Sequence, residues 1–268
     1  MTAIAVTIAG SDSSGGAGIH ADLRTFAALG VHGATVLVAL TAQNTTSVTA
    51  IHDVPADFIA AQIDAVYSDL DVGAAKTGML SQAVAIEAVA KGLNRHKAKN
   101  IVVDPVMVAS TGAALLAATA VEALRKELIP RALVVTPNLP EAAILTGASR
   151  ARNEEEMEVQ AREILSLGAR HVLIKGGHGE GAESVDLLIG EGIFLRLAAK
   201  RIATKNTHGS GCTLSAAIAA GLAKGRDLVT AVQEAKAYVT AAIAAADRLK
   251  IGHGHGPLNH FYDYWRDE

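Results

Sequence analysis

Short runs of Val and Ile alternate with longer helical patterns along almost the whole chain, and this order limits the folds open to it. The sequence predicts strands at residues 4–9, 35–40, 101–103, 133–136 and 172–174, and helices near 19–28, 56–70, 83–96, 119–128 and 154–167. The strands are continuously apolar, which is typical of a parallel sheet that helices cover on both faces. We therefore predict a doubly wound α/β fold.

The pattern changes after Lys175. Residues 184–189 and 193–197 flank Gly190-Glu191-Gly192, which predicts an antiparallel hairpin at a sheet edge. Two long Ala-rich helices are predicted near 212–223 and 228–249. Because no segment has a linker-like composition and no repeat is visible, we predict one domain over residues 1–268.

Composition narrows the classes of function. Half of the 268 residues are hydrophobic, so a large core is expected, and a formal charge of −3 gives no support for a nucleic-acid or anionic-membrane partner. No apolar run approaches the about 18 residues that span a bilayer, and the apolar start of the chain lacks a basic segment. We expect a cytoplasmic protein. Cys212 is the only cysteine, which excludes an intrachain disulfide.

Two familiar phosphate motifs are incomplete in the first glycine-rich loop. Gly16-x-Gly18-x-x-Ala21 matches a dinucleotide fingerprint, but the next predicted strand leads into Gln43 and carries no acidic ribose ligand. Gly10-x-x-x-x-Gly15 is followed by glycine where a Walker motif needs lysine. These gaps weaken a dinucleotide-dependent oxidoreductase. The loop still allows a ligand to approach the backbone closely.

The sequence Gly209-Ser210-Gly211-Cys212 stands directly before an apolar helix. Glycines let successive N–H groups converge, and a helix N-terminus adds partial positive charge, which suits the oxygens of a γ-phosphoryl group. A capped helix with glycines in its turn is the alternative. In the first helical turn the Cys212 thiol is expected to have a lowered pKa and could accept the proton of an attacking alcohol. It could equally be a small core residue.

Oxygen ligands and a lysine follow three other strands. Asn138 and Glu141 can present oxygens to Mg²⁺, but the same spacing forms a capping box. Asp104 could join the metal site or cap a turn, and Lys175, beside two glycines, could hold ATP phosphates or lie on the surface.

A second group of residues suits a flat heterocycle. The Gln43 amide can both donate and accept, which matches the ring nitrogen and exocyclic amine of an aminopyrimidine. Asp22 would offer an acceptor to a hydroxyl, while Met79 and Val106 would supply apolar surface. Each of these residues is also typical of ordinary packing or capping.

Together these segments resemble the hydroxymethylpyrimidine/phosphomethylpyrimidine kinases of thiamine biosynthesis, within the ribokinase superfamily. The similarity is carried by residues 7–19, 39–45, 76–80, 103–108, 135–141, 175–178 and 207–215, and it continues to the terminal Gly256-Pro-Leu-Asn-His-Phe-Tyr. The resemblance implies a ribokinase-like three-layer α/β/α fold with a mostly parallel central sheet and a small antiparallel edge hairpin. It also implies ATP and Mg²⁺ as co-reactants, two successive phosphorylations, and a homodimer.

The resemblance also implies roles for single residues. It places the pyrimidine among five residues: Gln43, Asp22, Gly10, Met79 and Val106. It assigns the anion hole and base to Gly209, Ser210, Gly211 and Cys212, the metal to Asn138, Glu141 and Asp104, and ATP to Lys175 and Thr207. The family most often has threonine where this chain has Ser210, which should matter little because the backbone N–H is the expected donor.

Two alternatives keep the fold and change the activity. A pyridoxal or pyridoxine kinase would place a hydroxymethyl-pyridine in a similar slot. A catalytically inactive ligand-binding regulatory protein would have lost the anion-hole glycines, the base or the metal pair, and the sequence keeps all of them.

Overall fold

A computed structural model describes residues 2–107, 118–179 and 181–265 of the chain. Its strands are β1 (Ile4–Gly10), β2 (His32–Gln43), β3 (Val48–Asp53), β4 (Ala74–Thr77), β5 (Ile101–Val103), β6 (Val134–Val135), β7 (His171–Lys175), β8 (Glu183–Gly190) and β9 (Ile193–Lys200). They form one nine-stranded sheet in the order β3-β2-β1-β4-β5-β6-β7-β8-β9. We propose a single domain because this sheet joins strands from both halves of the chain.

The helices are α1 (Gly18–Ala28), α2 (Ala56–Asp69), α3 (Ala83–Arg95), α4 (Ala118–Ala123), α5 (Leu139–Thr146), α6 (Glu154–Ser166), α7 (Ser210–Ala223) and α8 (Leu228–Ala244). Two predicted helices end earlier than expected. The helix predicted to reach residue 128 changes at Leu124 into a π-helical turn, and the helix predicted to reach residue 249 ends at Ala244 before a short 3-10 turn. No helix within the described ranges is long and apolar enough to cross a membrane.

Strand pairing confirms a mostly parallel sheet. The six strands β2, β1, β4, β5, β6 and β7 run parallel, whereas β8 and β9 form the predicted antiparallel edge hairpin. Two strands were not predicted from the sequence. β3 pairs antiparallel with β2 at the opposite edge, and most of its residues are exposed, so it lacks an apolar run. β4 has only four residues and includes Lys76, which interrupts the apolar pattern.

The three-layer arrangement follows from alternation along the strands. In β5, Ile101 and Val103 pack into one core cluster, while Val102 packs into the cluster on the other face. The first cluster includes residues of α2, α3, α5 and α6; the second includes residues of α1, α7 and α8. Because both faces are buried, the central strands are apolar along most of their length. The parallel strands end together at one edge, where ligands of such sheets bind.

Candidate active site

A cavity of about 460 Å³ lies at the carboxyl edge of the sheet, bordered by α8, the hairpin and the start of α7. It brings together all of the residues that were predicted for catalysis, ATP or metal, and one residue, Val106, that was predicted to contact the heterocycle. The first group is Asp104, Asn138, Glu141, Lys175, Thr207, Gly209, Ser210, Gly211 and Cys212. Residues from four separate segments of the sequence therefore meet at one site.

The start of α7 has the geometry of an anion site. Gly209 precedes the helix with a φ of 81°, in the left-handed region that favours glycine, and a Cβ there would overlap the carbonyl oxygen of Gly16. Gly211 and Cys212 lie in the first turn, where a helix supplies no acceptors for its own N–H groups. Both residues line the cavity. Their N–H groups and the helix dipole therefore favour a bound anion.

Cys212 is partly exposed at this cavity, and its sulfur accepts a hydrogen bond from the main chain of Gly18. Burial raises the pKa of the thiol to about 11, although the charge of Lys76 opposes this rise. The predicted lowering of this pKa is therefore wrong. A helix N-terminus favours the thiolate, but loss of water around the sulfur is the larger effect here.

Lys175 connects two acidic residues on the cavity wall. Its Nζ lies 2.8 Å from Asp104 Oδ1 and 3.9 Å from Glu141 Oε2. Burial alone would lower the pKa of Lys175, but the two carboxylates outweigh burial and raise it. Asp104 also accepts hydrogen bonds from Thr136 and Ser215, each at 3.1 Å. Lys175 therefore stays protonated, and its ammonium lies beside Gly211 at the start of α7.

Asn138 and Glu141 form the capping box that was the alternative to a metal site. Asn138 Oδ1 accepts from the Glu141 N–H at 2.9 Å, and Glu141 Oε2 accepts from the Asn138 N–H at 2.7 Å. Burial, with repulsion from Asp104, raises the pKa of Glu141 to about 7 against the attraction of Lys175. Both residues cap the helix and also line the cavity, so both remain part of the site.

The donor set fits Mg²⁺ only in part. Across the described ranges, no group of three or more His, Cys, Asp or Glu side chains could hold a metal ion by itself. Mg²⁺ commonly uses one or two carboxylates together with substrate phosphates and water. Asp104 and Glu141 supply such carboxylates, and a nearby cation would oppose the burial that raises the pKa of Glu141. The residues therefore fit a metal that arrives with a phosphorylated ligand.

The residues predicted to contact a heterocycle are less closely gathered. Val106 lines the cavity, whereas Gln43 reaches it through His208, with the Gln43 Nε2 and His208 Nε2 atoms 3.5 Å apart. Gly10 and Met79 are neighbours, since a Cβ on Gly10 would lie 2.5 Å from Met79 Cε.

Asp22 lies beneath the site instead of on its surface. Its Oδ2 accepts from Lys76 Nζ at 2.8 Å and from Thr7 Oγ1 at 2.5 Å, and both charged side chains have zero exposure. The sequence interpretation made Asp22 an acceptor for a ligand hydroxyl. In this structure the Asp22 carboxylate instead accepts hydrogen bonds from two buried protein groups, Lys76 of β4 and Thr7 of β1.

Two residues that organise the site were missed. Asp12 accepts hydrogen bonds from the N–H groups of Ser14, Gly16 and Ala17, and its Oδ2 lies 2.8 Å from His208 Nε2. This contact ties the first glycine-rich loop to the loop before α7. An aspartate followed by Ser-Ser in a glycine-rich loop is a local signal for such a turn. Nothing in the sequence pairs it with a histidine 196 positions later.

A three-layer α/β fold, with an anion-binding helix start facing buried carboxylates and a lysine, defines a ribokinase-like phosphotransferase. The family model described as phosphomethylpyrimidine kinase matches residues 12–259. The chain belongs to this family. It is 60% identical, over 267 residues and the full length of both chains, to the hydroxymethylpyrimidine/phosphomethylpyrimidine kinase of Rhizobium meliloti (strain 1021).

Solved structures of related kinases share the fold. The phosphomethylpyrimidine kinase of Clostridium difficile 630 superposes with a TM-score of 0.80 at 45% identity, covering 90% of this chain and 99% of that one. An ADP complex of Bacillus subtilis pyridoxal kinase superposes with a TM-score of 0.89 at 38% identity, covering 97% and 98%. The fold thus occurs in kinases named for two different ring systems.

Proposed function

We propose that the protein transfers the terminal phosphoryl group of ATP to the hydroxymethyl group of hydroxymethylpyrimidine, and then to the resulting monophosphate, in thiamine biosynthesis. The observation that carries this proposal is the start of α7. There Gly211 and Cys212, in the first turn of the helix, line the same cavity as Lys175, and Cys212 adds a thiol. The choice of substrate is supported by relatives that are named as kinases of hydroxymethylpyrimidine or of its phosphate.

In this proposal ATP occupies the cavity along α7. Its phosphates lie at residues 209–212 and near Lys175 and Thr207, which all line the cavity. Leu214, Val239 and Ile243 form an apolar part of the same cavity that suits the adenine ring. The ADP complex of the Bacillus subtilis relative supports a nucleotide in this fold.

Mg²⁺ would be held by Asp104 and Glu141, with Asn138 beside them, and would neutralise charge that builds up on the phosphates. The protein's own part is electrostatic. Phosphoryl transfer passes through a loose transition state in which positioning and charge stabilisation dominate. The N–H groups of Gly211 and Cys212 and the ammonium of Lys175 supply this stabilisation.

The acceptor lies on the side of Gln43, with Gly10, Met79 and Val106 around the ring. The hydroxyl oxygen of the pyrimidine forms a bond to the γ-phosphorus as the bond to the β–γ bridging oxygen breaks, and ADP leaves. The hydroxyl proton passes to the Cys212 sulfur. Only the thiolate can accept it, and with a pKa of about 11 the thiolate is the minor form at neutral pH, so groups that lower the pKa of Cys212 favour this step.

The proposal is tested by incubating pure protein with Mg-ATP and either hydroxymethylpyrimidine or pyridoxal. We expect mono- and then diphosphorylated pyrimidine by mass spectrometry, with slower turnover of pyridoxal. The similarity to a pyridoxal kinase makes that comparison necessary. A preference for pyridoxal would overturn the substrate assignment. Ligand-induced thermal stabilisation without ADP release would instead identify a binding protein.

We also propose that the protein is a homodimer acting in the cytoplasm, where ATP is available. On one face of the β2–β3 ribbon, Leu40, Ala42 and Ala50 are exposed, Leu40 to 46%. A second copy of the chain is the partner that would cover this apolar face. Light scattering after gel filtration should give twice the chain mass, and Leu40→Glu should reduce it to the monomer. A monomer before mutation would contradict the proposal.

A further inference from the structure

Lys76 is a fully buried cation close to the active site. Its Nζ lies 2.8 and 3.1 Å from the two carboxylate oxygens of Asp22. Thr7, its partner in the register of β1 and β4, donates to the same carboxylate. Isolated buried charges are costly, so an ammonium without exposure requires such a partner. This arrangement holds Lys76 in one position.

The helix α1 brings this ammonium towards Cys212. The Gly18 N–H donates to the Cys212 sulfur, and Asp22, four residues later, holds Lys76. Residues four apart lie on one face of a helix, about 5–6 Å from each other. α7, which carries Cys212, packs against both α1 and β4. The sulfur and the ammonium therefore contact the same helix one turn apart, the sulfur at Gly18 and the ammonium at Asp22.

Four charged groups act on the sulfur from the elements around it. Lys76 on β4 lowers the pKa of Cys212, while Asp22 on α1 and Asp104 after β5 raise it, and burial is the largest influence. Lys175 on β7 also attracts a negative charge on Cys212. Burial alone would lower the pKa of Lys76, but Asp22, Cys212 and Asp104 outweigh burial and raise it. Lys76 thus remains charged.

We propose that Lys76, held by Asp22 and Thr7, is a positioning residue whose buried charge stabilises the Cys212 thiolate as proton acceptor. Asp22 opposes Lys76, so the two residues set the reactivity of the sulfur between them. This inference rests on the proposed kinase function, because the thiolate matters there as a proton acceptor. The test does not depend on that function, because the charge of Lys76 acts on Cys212 without ATP or pyrimidine.

The single cysteine makes the test specific. The rate of Cys212 alkylation by iodoacetamide is measured across pH by mass spectrometry of the intact protein. Lys76→Met should move the alkylation midpoint to higher pH, lowering the rate at neutral pH by about tenfold, which is one pKa unit. Asp22→Asn should move the midpoint to lower pH. Lys91→Met, at an exposed lysine paired with Glu87, is the matched control and should change nothing.

The opposite directions distinguish charge from packing. Loosening of the site would change cysteine access in the same direction in both variants, and this outcome, or no shift in either, overturns the proposal. If Lys76→Met does not fold, the double variant Lys76→Met with Asp22→Asn removes both charges. Its midpoint should lie above that of Asp22→Asn alone, and an equal or lower midpoint also overturns the proposal.

Discussion

Two buried lysine–carboxylate pairs flank Cys212, and they differ in their contact with the cavity. Lys76 and Asp22 are sealed from solvent, with zero exposure on both side chains. Lys175 and Asp104 have the same 2.8 Å contact, but Lys175 lines the cavity and keeps 11% of its side chain exposed. Lys175 also lies 3.9 Å from a second carboxylate, Glu141.

This difference in exposure indicates that the two lysine–carboxylate pairs have different roles. A sealed pair cannot exchange its partner, so Lys76 holds α1 to β4 and acts on Cys212 through its field. A cavity-facing pair can exchange a carboxylate contact for a phosphate oxygen. We therefore expect changes at Lys76 to reduce stability first, and changes at Lys175 to reduce catalysis first.

The largest effect is expected at the sulfur between the pairs. Cys212→Ala should lower kcat by about 10²–10⁴ because it removes the proton acceptor. Steady-state ADP release measures this loss, and thermal unfolding serves as the control for folding. Unchanged turnover would remove Cys212 from the mechanism and leave only the electrostatic site.

Breaking the sealed pair should mainly affect folding. Lys76→Met leaves Asp22 buried without its cation, which costs about 3–5 kcal/mol of unfolding free energy. Urea denaturation measures this cost. An unfolding free energy close to that of the unmodified protein would mean that Asp22 is not charged in the folded state.

Breaking the cavity-facing pair should mainly affect catalysis. Lys175→Met should lower kcat/KM by about 10²–10³ through the loss of one preorganised charge at the phosphates. The loss of unfolding free energy should be smaller than for Lys76→Met, measured in the same urea titrations. A larger loss of stability at Lys175 would reverse the comparison.

The smallest effect concerns the pH dependence of the cavity-facing group. The pKa of Glu141 is raised from 4.5 to about 7, so the folded state binds its proton more tightly than the unfolded state. The resulting stability is present below about pH 4.5 and is lost as pH rises through about 7. Glu141→Gln keeps the capping geometry and lacks this titration.

Thermal unfolding of both proteins across this range measures the contribution of Glu141. The stability of the unmodified protein relative to Glu141→Gln should fall as pH rises, and Mg-ATP should reduce the fall. A constant difference would show that Glu141 keeps its ordinary pKa.

Much of this organisation could be predicted from the sequence, because apolar strands alternate with helices and the polar loops follow the strand ends. β3 could not, since it is an edge strand with exposed residues. Spacing could not separate a capping box from a metal site at Asn138 and Glu141, since both need the same residues. The raised pKa of Cys212 depends on burial by distant segments, which a local helix-start rule does not include.

The pair of Lys76 and Asp22 is a second contact that could not be predicted from sequence spacing. Asp22 and Lys76 are 54 positions apart, and each alone is typical of a surface helix or a strand end. Only the parallel register of β1 and β4, with Thr7 beside Lys76, places them together.

A crystal structure with a non-hydrolysable ATP analogue and hydroxymethylpyrimidine tests the central claim most directly. We predict the terminal phosphate within hydrogen-bond distance of the N–H groups of Gly211 and Cys212, and the substrate hydroxyl facing the Cys212 sulfur. Phosphates bound away from the start of α7, or a hydroxyl turned away from that sulfur, would contradict the account.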